Sequence, residues 1–345
     1  MNHRHNNLTI GFTYDLKDDY LAMGLSSEEA AEFDSLETIE GVSDALRCLG
    51  YNVDLIGNAH SLISRLQKGD RWDLVFNICE GLRGIGREAQ VPAILDLFNI
   101  PYVFSDVLVL SLTLHKGMTK HVIRDHGIPT APFFVAHSLD CLENHSLRYP
   151  LFVKPVAEGT GKGIGPDSIV SNHRDLIRVG WDRLQRFEQS LLVEEFLPGR
   201  EVTVGIVGTG SHAKVIGMME VLFKKQNTSA VYCYQVKAQY EDFVDYVLPE
   251  KRLYDACSRV ALDAWRALGC RDGGRIDLRL DQDGIPNFIE VNPLAGLNPI
   301  HSDLPILSRI AGISYEQLIG LIMNSALNRE KLPVPSKSSL CRTTF

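Results

Sequence analysis

The sequence predicts an α/β (α+β) protein with three domains, and three patterns lead to this expectation. Strand-like and helix-like stretches alternate over residues 1–114, which is typical of a parallel sheet flanked by helices. Short strands and helices around a glycine-rich loop over 115–197 indicate a small α+β domain with a flexible flap. An amphipathic hairpin dominates 198–330. The Pro/Ser-rich tail 331–345 has no periodicity and is expected to be disordered.

Length and composition limit the classes of protein that fit. A chain of 345 residues exceeds the usual size of a single core, so more than one domain is expected. No apolar run reaches the length of a membrane span, and the polar start MNHRHNN lacks the apolar segment of a signal peptide. The seven cysteines are scattered without a C-x-x-C pair, which favours a reducing compartment. The formal charge of −8 disfavours a nucleic-acid surface, so we expect a cytoplasmic protein without nucleic-acid or membrane partners.

The first domain is predicted to hold four strands and two main helices. The strands are predicted at Leu8–Thr13, Tyr51–Gly57, Trp72–Ile78 and Ile100–Phe104. The first helix follows Ser35, which can cap it, and Gly50 can end it. The second helix is predicted at Ala89–Phe98, after the glycine-rich turn EGLRGIG.

The remaining elements are read from the same signals of periodicity, proline and glycine. Helices are predicted at Lys116–His126, His173–Phe187 and Lys251–Leu268. Strands are predicted at Tyr149–Pro155, Ser190–Leu197, Glu201–Val207 and Ala213–Val221, and a polar loop at Lys224–Tyr246.

Residues 274–292 read as a hairpin around Asp283-Gly284, the dipeptide typical of a two-residue type I′ turn. Counting back from this turn places Gln282 opposite Ile285 and Leu278 opposite Ile289. Because strand side chains alternate between faces, the apolar residues of both strands should share one face. This apolar set comprises Ile276, Leu278, Leu280, Ile289 and Val291.

The polar face of this hairpin carries the candidate chemistry. The same register places Asp277 opposite Glu290 and Arg275 opposite Asn292. Two opposed carboxylates destabilise a strand pair unless a cation lies between them. Carboxylate and amide oxygens suit Mg²⁺, and Arg275 supplies a fork of donors for an anion. The alternative is an ordinary surface ladder of ion pairs on an amphipathic hairpin.

Two further stretches have a chemical interpretation. The loop Glu158–Gly165 has glycines that allow backbone N–H groups to approach phosphate oxygens, with Lys154 and Lys162 nearby. Its spacing fits neither a Walker A loop nor a dinucleotide fingerprint, and a plain mobile loop is the alternative. The acidic stretch Glu194–Glu201 runs into a Pro-Gly turn and could offer groups to an adenine and its ribose; a solvated turn is the alternative there.

In combination these stretches resemble the ATP-grasp superfamily and, within it, the D-alanine–D-alanine ligase-like group. The resemblance runs from about Asp34 to Leu307. It is carried by the order and spacing of IPYVFS, LTLHKGMTKHVIRDHGIPT, LFVKPVAEGTGKGI, LLVEEFLPGREVTV and GGRIDLRLDQDGIPNFIEVNPLAGLNP. It implies a three-domain ATP-grasp architecture with an N-terminal domain (1–114), a central domain (115–197) and a C-terminal catalytic domain (198–330). It also implies an ATP-dependent ligase that forms an amide bond through an acyl phosphate. Many members of this group are homodimers, so a homodimer is one expectation.

The resemblance assigns roles to individual positions. For ATP it implies Lys116, Lys154, Thr160, Gly161, Lys162, Glu194, Glu195, Leu197 and Glu201. For Mg²⁺, with Mn²⁺ as an alternative, it implies Asp277, Glu290 and Asn292. For catalysis it implies Lys237 on the γ-phosphate, Arg275 and Gly296 on the oxyanion, and Ser302 on the second substrate's carboxylate. The substrate candidates are Glu37, Glu80, Arg87, Ala238, Tyr240 and His301.

The departures from the family pattern fall on the substrate side. Glu80 stands where D-alanine ligases have a histidine, and Gly84–Arg87 replaces their acidic G-E-D-G run. Ala238 replaces a tyrosine, for which Tyr240 could compensate. We therefore expect an amino acid as at least one substrate, with a divergent D-alanine ligase or a ligase acting on a non-alanine scaffold, as mycosporine-type ligases do, as alternatives. A catalytically silent ATP-binding regulatory protein is a further alternative.

Overall fold

The computed structural model describes residues 7–224 and 244–334, with a mixture of strands and helices. The strands, β1 to β12, are Thr9–Thr13, Asn52–Gly57, Leu74–Asn77, Phe133–Ala136, Leu151–Pro155, Ile169–Val170, Leu191–Glu195, Glu201–Val207, Lys214–Phe223, Val244–Val247, Gly273–Leu280 and Pro286–Asn292. The helices, α1 to α11, are Lys17–Ala22, Leu36–Cys48, Ala59–Gln67, Gln90–Leu97, Val107–Leu114, Lys116–Asp125, Leu139–Glu143, His173–Phe187, Lys251–Leu268, Asp303–Ile310 and Tyr315–Glu330. Short 3₁₀ turns lie at Arg87–Ala89, Pro166–Ser168 and Gly210–His212.

The strands form three sheets. The first sheet is parallel, with the order β2-β1-β3. The second is antiparallel, with the order β4-β7-β5-β6, and the third is antiparallel, with the order β10-β9-β8-β11-β12. One parallel sheet and two antiparallel sheets confirm the mixed α/β (α+β) class.

Local signals in the sequence account for several of these elements. The Ser35 hydroxyl accepts a hydrogen bond from the Thr38 N–H at the start of α2, as a capping residue does. Gly50 follows this helix with a φ of 92°, a conformation in which a side chain would be strained. Helices α8 and α9 begin and end at the residues predicted from the sequence.

The hairpin of β11 and β12 differs from its predicted register. The loop spans residues 281–285 instead of two residues, because the Asp281 carboxylate accepts hydrogen bonds from the Asp283 and Ile285 N–H groups. Leu280 therefore lies opposite Pro286, and Leu278 opposite Phe288. The predicted pairs of Gln282 with Ile285 and of Leu278 with Ile289 were wrong.

A β-bulge restores the predicted register further along the hairpin. The pairing shifts between Asp277 and Leu278, so Ile289 is the extra residue on β12. Beyond it, Asp277 lies opposite Glu290, as predicted. Ile289 consequently turns away from the apolar face, where Phe288 takes its place in the core.

Two other local predictions need correction. Ile100–Phe104 is not a regular strand: it meets β3 through an isolated bridge between Tyr102 and Val75. Pro101 has no N–H to donate, and Phe104 has a φ of 77°, which ends an extended segment. The end of the predicted loop Lys224–Tyr246 belongs to β10, whereas residues 225–243 lie outside the described ranges.

The C-terminal helices complete a core that begins at the N-terminus. Ile10 and Phe12 of β1 belong to the same buried cluster as Leu318 and Ile322 of α11. The predicted boundaries at 114, 197 and 330 remain predictions. Within the described ranges no single helix is long and apolar enough to cross a membrane, although the bent pair α10 and α11 meets that test by length and composition alone.

Candidate active site

Two adjoining clefts lie where the sheets meet. The first cleft lies between the central antiparallel sheet and the polar face of the hairpin. The second cleft extends from there towards the N-terminal sheet. Four residues line both clefts, namely Lys116, Glu158, Gly159 and Glu290. A ligand in one cleft can therefore meet a ligand in the other at this junction.

The polar face of the hairpin forms one wall of the junction. Asp277 lies opposite Glu290 and Arg275 opposite Asn292, as the sequence predicted. Asp277 lines the first cleft, whereas Arg275 and Asn292 line the second, and Glu290 lines both. The bulge beside this pair increases the local twist of the strand, which is common next to active sites.

Asp277 is oriented by several neighbours. Its carboxylate forms an ion pair with Arg275 and accepts a hydrogen bond of 2.9 Å from the Thr203 hydroxyl. The Asn292 amide lies 3.4 Å from the other carboxylate oxygen. Asp303 of α10 lies 3.7 Å from Arg275, so this guanidinium is shared between two acids. These contacts fix both the carboxylate and the guanidinium before any ligand arrives.

A buried charge cluster forms the floor of the first cleft. Glu194 lies 2.7 Å from the ammonium of Lys120 and 3.2 Å from that of Lys154. Lys120 is 0% exposed and also donates to the Thr130 hydroxyl at 2.6 Å. Burial opposes the charged form of Glu194, but the two lysines outweigh it and hold the pKa of its carboxyl below the usual value.

The hinge after β7 supplies the far end of the first cleft. Phe196 and Leu197 line it, and Glu201 accepts a hydrogen bond from Arg279 at 3.3 Å. The Arg279 guanidinium lies 4.9 Å from the centre of the Phe196 ring. Glu195 also lines the cleft, but its carboxylate binds the exposed side chain of Arg148.

Lys116 connects the two clefts. It begins α6, and its ammonium lies 3.6 Å from the Glu290 carboxylate and donates to the Glu158 carbonyl at 2.5 Å. Lys120 lies one helical turn further along α6, so both lysines are on the same face.

The glycine-rich loop is anchored on the N-terminal part of the chain. Glu32 accepts a hydrogen bond from the Gly159 N–H at 2.7 Å and lies 3.5 Å from the Lys162 ammonium. Arg87 lies 3.0 Å from Glu32 and donates to the Ala157 carbonyl at 3.0 Å. Burial disfavours the charged form of Glu32, but Arg87 and Lys162 hold the pKa of its carboxyl below its usual value.

Thr160 has an unusual position in this loop. Its φ is 49°, a left-handed conformation that is uncommon for a residue with a branched side chain. Its hydroxyl is shielded from solvent and has no hydrogen-bond partner within 7–224 and 244–334. Thr160 lines the second cleft, and Gly161 lines the first.

The far wall of the second cleft is acidic. Glu80 and Glu88 line it together with Glu32. Burial and the neighbouring Glu88 raise the pKa of Glu80 well above its usual value. Burial likewise raises the pKa of Glu88 to about 7, although Arg87 opposes this shift.

The loop after β12 closes the second cleft. Gly296 lines it, and a Cβ atom there would lie 2.8 Å from the Ser302 hydroxyl, so a side chain would displace Ser302. The Ser302 hydroxyl accepts from the Asn298 N–H at 3.0 Å. Glu37 is exposed and accepts a hydrogen bond from the Asn298 amide at 3.0 Å. His301 is exposed beside it.

The structure brings most of the predicted site residues to the two clefts. Within the described ranges, five predicted residues line neither cleft. Lys162 and Arg87 pair with Glu32 behind the cavity wall, whereas Ser302, Glu37 and His301 belong to or border the loop that closes the second cleft. Lys237, Ala238 and Tyr240 lie outside the described residues.

Comparison with known proteins identifies the family. The family model described as the D-ala D-ala ligase C-terminus matches residues 122–324, which is more than half of the chain. The chain is 30% identical over 304 residues to a D-alanine–D-alanine ligase of Bordetella avium (strain 197N), covering 87% of this chain and 92% of that protein. It belongs to the D-alanine–D-alanine ligase family. As a member of that family, the chain is an ATP-dependent ligase of the ATP-grasp type, which confirms the class predicted from the sequence.

Further relatives agree with this family. A D-alanine–D-alanine ligase of Marinomonas sp. (strain MWYL1) is 32% identical over 324 residues, covering 91% of this chain and 98% of that protein. The crystal structure of a D-alanine–D-alanine ligase from Bacillus anthracis complexed with ATP has a TM-score of 0.68. It is 22% identical and covers 94% of this chain and 99% of its own. The fold is therefore shared over nearly the whole length of this ligase.

Several site residues of this ligase escaped the sequence reasoning. Glu32 and Glu88 line the second cleft, and Lys120 pairs with Glu194 beneath the first. Lys120 could have been found, since it lies four residues after Lys116 on the same helix. Glu32 had no such signal, because it lies in an irregular segment between α1 and α2.

Proposed function

We propose that this ligase uses ATP to convert a carboxylate into an acyl phosphate and then joins it to an amine, with an amino acid as at least one substrate. The observation that carries the proposal is the junction of the two clefts. A nucleotide in the first cleft and a carboxylate in the second would meet beside Lys116 and Glu290, which line both. We also propose that this ligase is cytoplasmic and that its substrates are small molecules.

The first cleft suits ATP in shape and charge. Apolar walls for an adenine come from the set Phe152, Ile164, Phe196, Leu197 and Ile289. Glu201 lies at the same end and would accept from ribose hydroxyls. Lys116 and Lys154 lie towards the junction, where they would neutralise phosphate charge. The backbone N–H groups of the anchored loop, around Gly161, would approach the phosphates closely.

The donors on the hairpin fit Mg²⁺. Asp277, Glu290 and Asn292 offer only hard oxygen atoms, which Mg²⁺ prefers, and Mn²⁺ accepts the same set. Within 7–224 and 244–334, no cluster of three or more His, Cys, Asp or Glu side chains could hold a metal alone. Two carboxylates and an amide leave room for the phosphate and water ligands that complete a Mg²⁺ shell. When bound, the ion would neutralise phosphate charge at the reacting centre.

The first chemical step needs positioning more than covalent help from the protein. A carboxylate oxygen of the substrate attacks the γ-phosphorus, the bond from that phosphorus to the β,γ-bridging oxygen breaks, and ADP leaves. Lys116 would hold the transferred phosphoryl group beside Glu290. Arg275, held by Asp277 and Asp303, would orient the substrate carboxylate for in-line attack.

The second step forms the amide. The amine of the other substrate attacks the acyl carbon, its extra proton is lost, and the carbon–oxygen bond to phosphate breaks. Arg275 and the backbone near Gly296 would stabilise the oxyanion of the tetrahedral intermediate. The loop pinned by Glu32 and Arg87 would keep water from the acyl phosphate.

The test is ADP formation by the full chain with ATP, Mg²⁺ and a panel of D- and L-amino acids that includes D-alanine, with mass detection of the product. ADP release that requires both Mg²⁺ and an amino acid, together with an amide product, supports the proposal. ATP binding without turnover on any member of the panel would contradict it.

A further inference from the structure

Arg279 is a charged residue in the wall of the first cleft. It alternates along β11 with Arg275 and Asp277, so the three side chains lie on the same face of the sheet. Asp277 and Arg279 both line the first cleft. Asp277 belongs to the proposed metal site and Arg275 to the proposed oxyanion site, whereas the proposed chemistry makes no use of Arg279. A half-buried charge is costly unless it is compensated, so the partners of Arg279 indicate what it does.

Arg279 contacts two other residues that line the same cleft. It lies directly opposite Glu201 on β8, and its Nη1 donates to the Glu201 carboxylate at 3.3 Å. Its guanidinium carbon lies 4.9 Å from the centre of the Phe196 ring, in the hinge after β7. Only 14% of the Arg279 side chain and 20% of the Glu201 side chain are exposed, so this pair is more shielded than a surface ion pair. A guanidinium that is stacked on a ring and paired with a carboxylate has a fixed plane.

The negative charge of Glu201 gives this arginine a use in a nucleotide cleft. A nucleoside triphosphate is strongly negative, and an uncompensated carboxylate beside it would weaken its binding, because like charges repel more strongly in a shielded cleft than in water. Arg279 compensates the charge of Glu201. An ionised carboxylate offers about four acceptor positions, so the bond from Arg279 does not prevent Glu201 from accepting hydroxyl groups as well.

We infer that Arg279 is a positioning residue for the nucleoside half of ATP. It orients the Glu201 carboxylate towards the ribose hydroxyls and holds the Phe196 ring at the adenine end of the cleft. This inference rests on the proposed placement of ATP in the first cleft. Loss of Arg279 weakens nucleotide binding and the recognition of the ribose, whereas the transfer step beside Lys116 and Glu290, at the junction of the clefts, is largely unaffected.

The experiment measures how strongly the enzyme prefers ATP to nucleotides that lack one ribose hydroxyl. Binding of ATP, 2′-deoxy-ATP and 3′-deoxy-ATP to the full chain is measured by calorimetry in the presence of Mg²⁺. Release of the nucleoside diphosphate is measured separately, with the amino acid of the panel that gives the highest turnover. The wild type should bind ATP at least about fivefold more tightly than at least one of the two analogues, because that analogue lacks a hydroxyl that donates to Glu201.

Substitutions assign this preference to Arg279. Arg279→Met should raise the Kd for ATP at least about tenfold and lower the preference for the intact ribose at least about threefold, with kcat at saturating ATP changed less than about threefold. In a Glu201→Gln background the same substitution should have little further effect on the preference, since the two residues act as a pair. Arg279→Lys keeps the charge without the planar fork and should also lower the preference, which provides a second test if the methionine variant does not fold.

Arg148→Met is the matched control. Arg148 is also paired with a carboxylate that lines the first cleft, that of Glu195, but its own side chain is 82% exposed and does not line this cleft. The control should keep the wild-type preference for the intact ribose. Thermal unfolding of each variant shows whether it is folded.

The outcomes separate this inference from the ligase activity. A wild type that binds the three nucleotides equally, or a folded Arg279→Met variant with an unchanged preference, would overturn the role of Arg279 and leave the ligase activity intact. An equal loss of preference in Arg148→Met would also overturn it, because the effect would not depend on the cleft. Loss of the preference in Arg279→Met, in a protein that forms no ADP with any amino acid, would support this role and contradict the ligase activity. A wild type that does not bind ATP would overturn both.

Discussion

The two clefts differ in how their carboxylates are compensated. In the first cleft, Glu194 lies between two lysines and Glu201 meets Arg279. In the second cleft, Glu80 and Glu88 form no hydrogen bond or ion pair with a residue of 7–224 or 244–334, and burial raises the pKa of both carboxyl groups. The first arrangement is charge-compensated by side chains of the protein, whereas in the second the raised pKa values favour the neutral acids. A carboxyl group beside buried cations keeps its charge, whereas one buried beside other acids keeps its proton.

The largest effect is expected at the junction that both clefts share. Glu290→Gln keeps the size of the side chain but removes the charge that faces Asp277 and Lys116. ADP formation should fall at least about 100-fold, because the proposed Mg²⁺ site would lose one of its two carboxylates. Steady-state ADP release and thermal unfolding measure the two properties separately. Full activity in this variant would show that the hairpin does not hold the metal.

The second prediction tests the ion pairs that compensate the charge of Glu194 in the first cleft. Glu194→Gln leaves Lys120 and Lys154 buried beside a neutral amide. Removing one partner of a buried ion pair typically costs about 3–5 kcal/mol, so the free energy of unfolding should fall by that amount. Chemical denaturation monitored by circular dichroism gives this value. A loss of less than about 1 kcal/mol would mean that the cluster is solvated.

The third prediction concerns the pH dependence of stability and Glu88 in the second cleft. Burial raises the pKa of Glu88 in the folded protein to about 7, whereas the unfolded chain releases this proton near the ordinary value of 4.5. Between these values the folded state binds more protons, so the free energy of unfolding falls as pH rises. Glu88→Gln should flatten this slope over that interval. Denaturation curves are measured for this variant and for Glu40→Gln, a control at an exposed residue of α2. An unchanged slope in Glu88→Gln would contradict the raised pKa of Glu88.

The smallest effect is expected at Glu195, the neighbour of Glu194. Its carboxylate binds Arg148, whose side chain is exposed, so the pair should contribute about 0–1 kcal/mol. Because this carboxylate pairs with Arg148, Glu195→Gln should change the KM for ATP less than about threefold. A large rise in this KM would show that the carboxylate leaves Arg148 and contacts the nucleotide.

The sequence was sufficient to predict the parts of the structure whose geometry depends on local rules. Alternation along β11 and β12 placed Asp277 opposite Glu290, even though the turn and the position of Ile289 were wrong. Those two errors cancelled, because the longer loop and the bulge each shift the register. The Asp281 carboxylate selects the loop, and a side chain that caps its own turn competes with the type I′ geometry.

The acidic wall could not be predicted in the same way. Glu32 and Glu88 reach the second cleft from an irregular segment and a 3₁₀ turn, whose paths follow no periodicity. Glu37 was one of the predicted substrate contacts, and it lies on the exposed first turn of α2, where it accepts a hydrogen bond from the Asn298 amide. The place of a residue on a helix follows from where the helix is capped. The place of a residue in an irregular segment follows from tertiary packing.

The place of α11 in the N-terminal core has a consequence for synthesis of the protein. Leu318 and Ile322 pack in the same cluster as Ile10 and Phe12, which leave the ribosome first. Domains usually fold as units while the chain is still being made. Here the earliest sheet lacks part of its apolar cover until Tyr315–Glu330 has emerged. The sheet of β4 to β7 has its own buried cluster around Leu151 and Val193, which does not depend on α11.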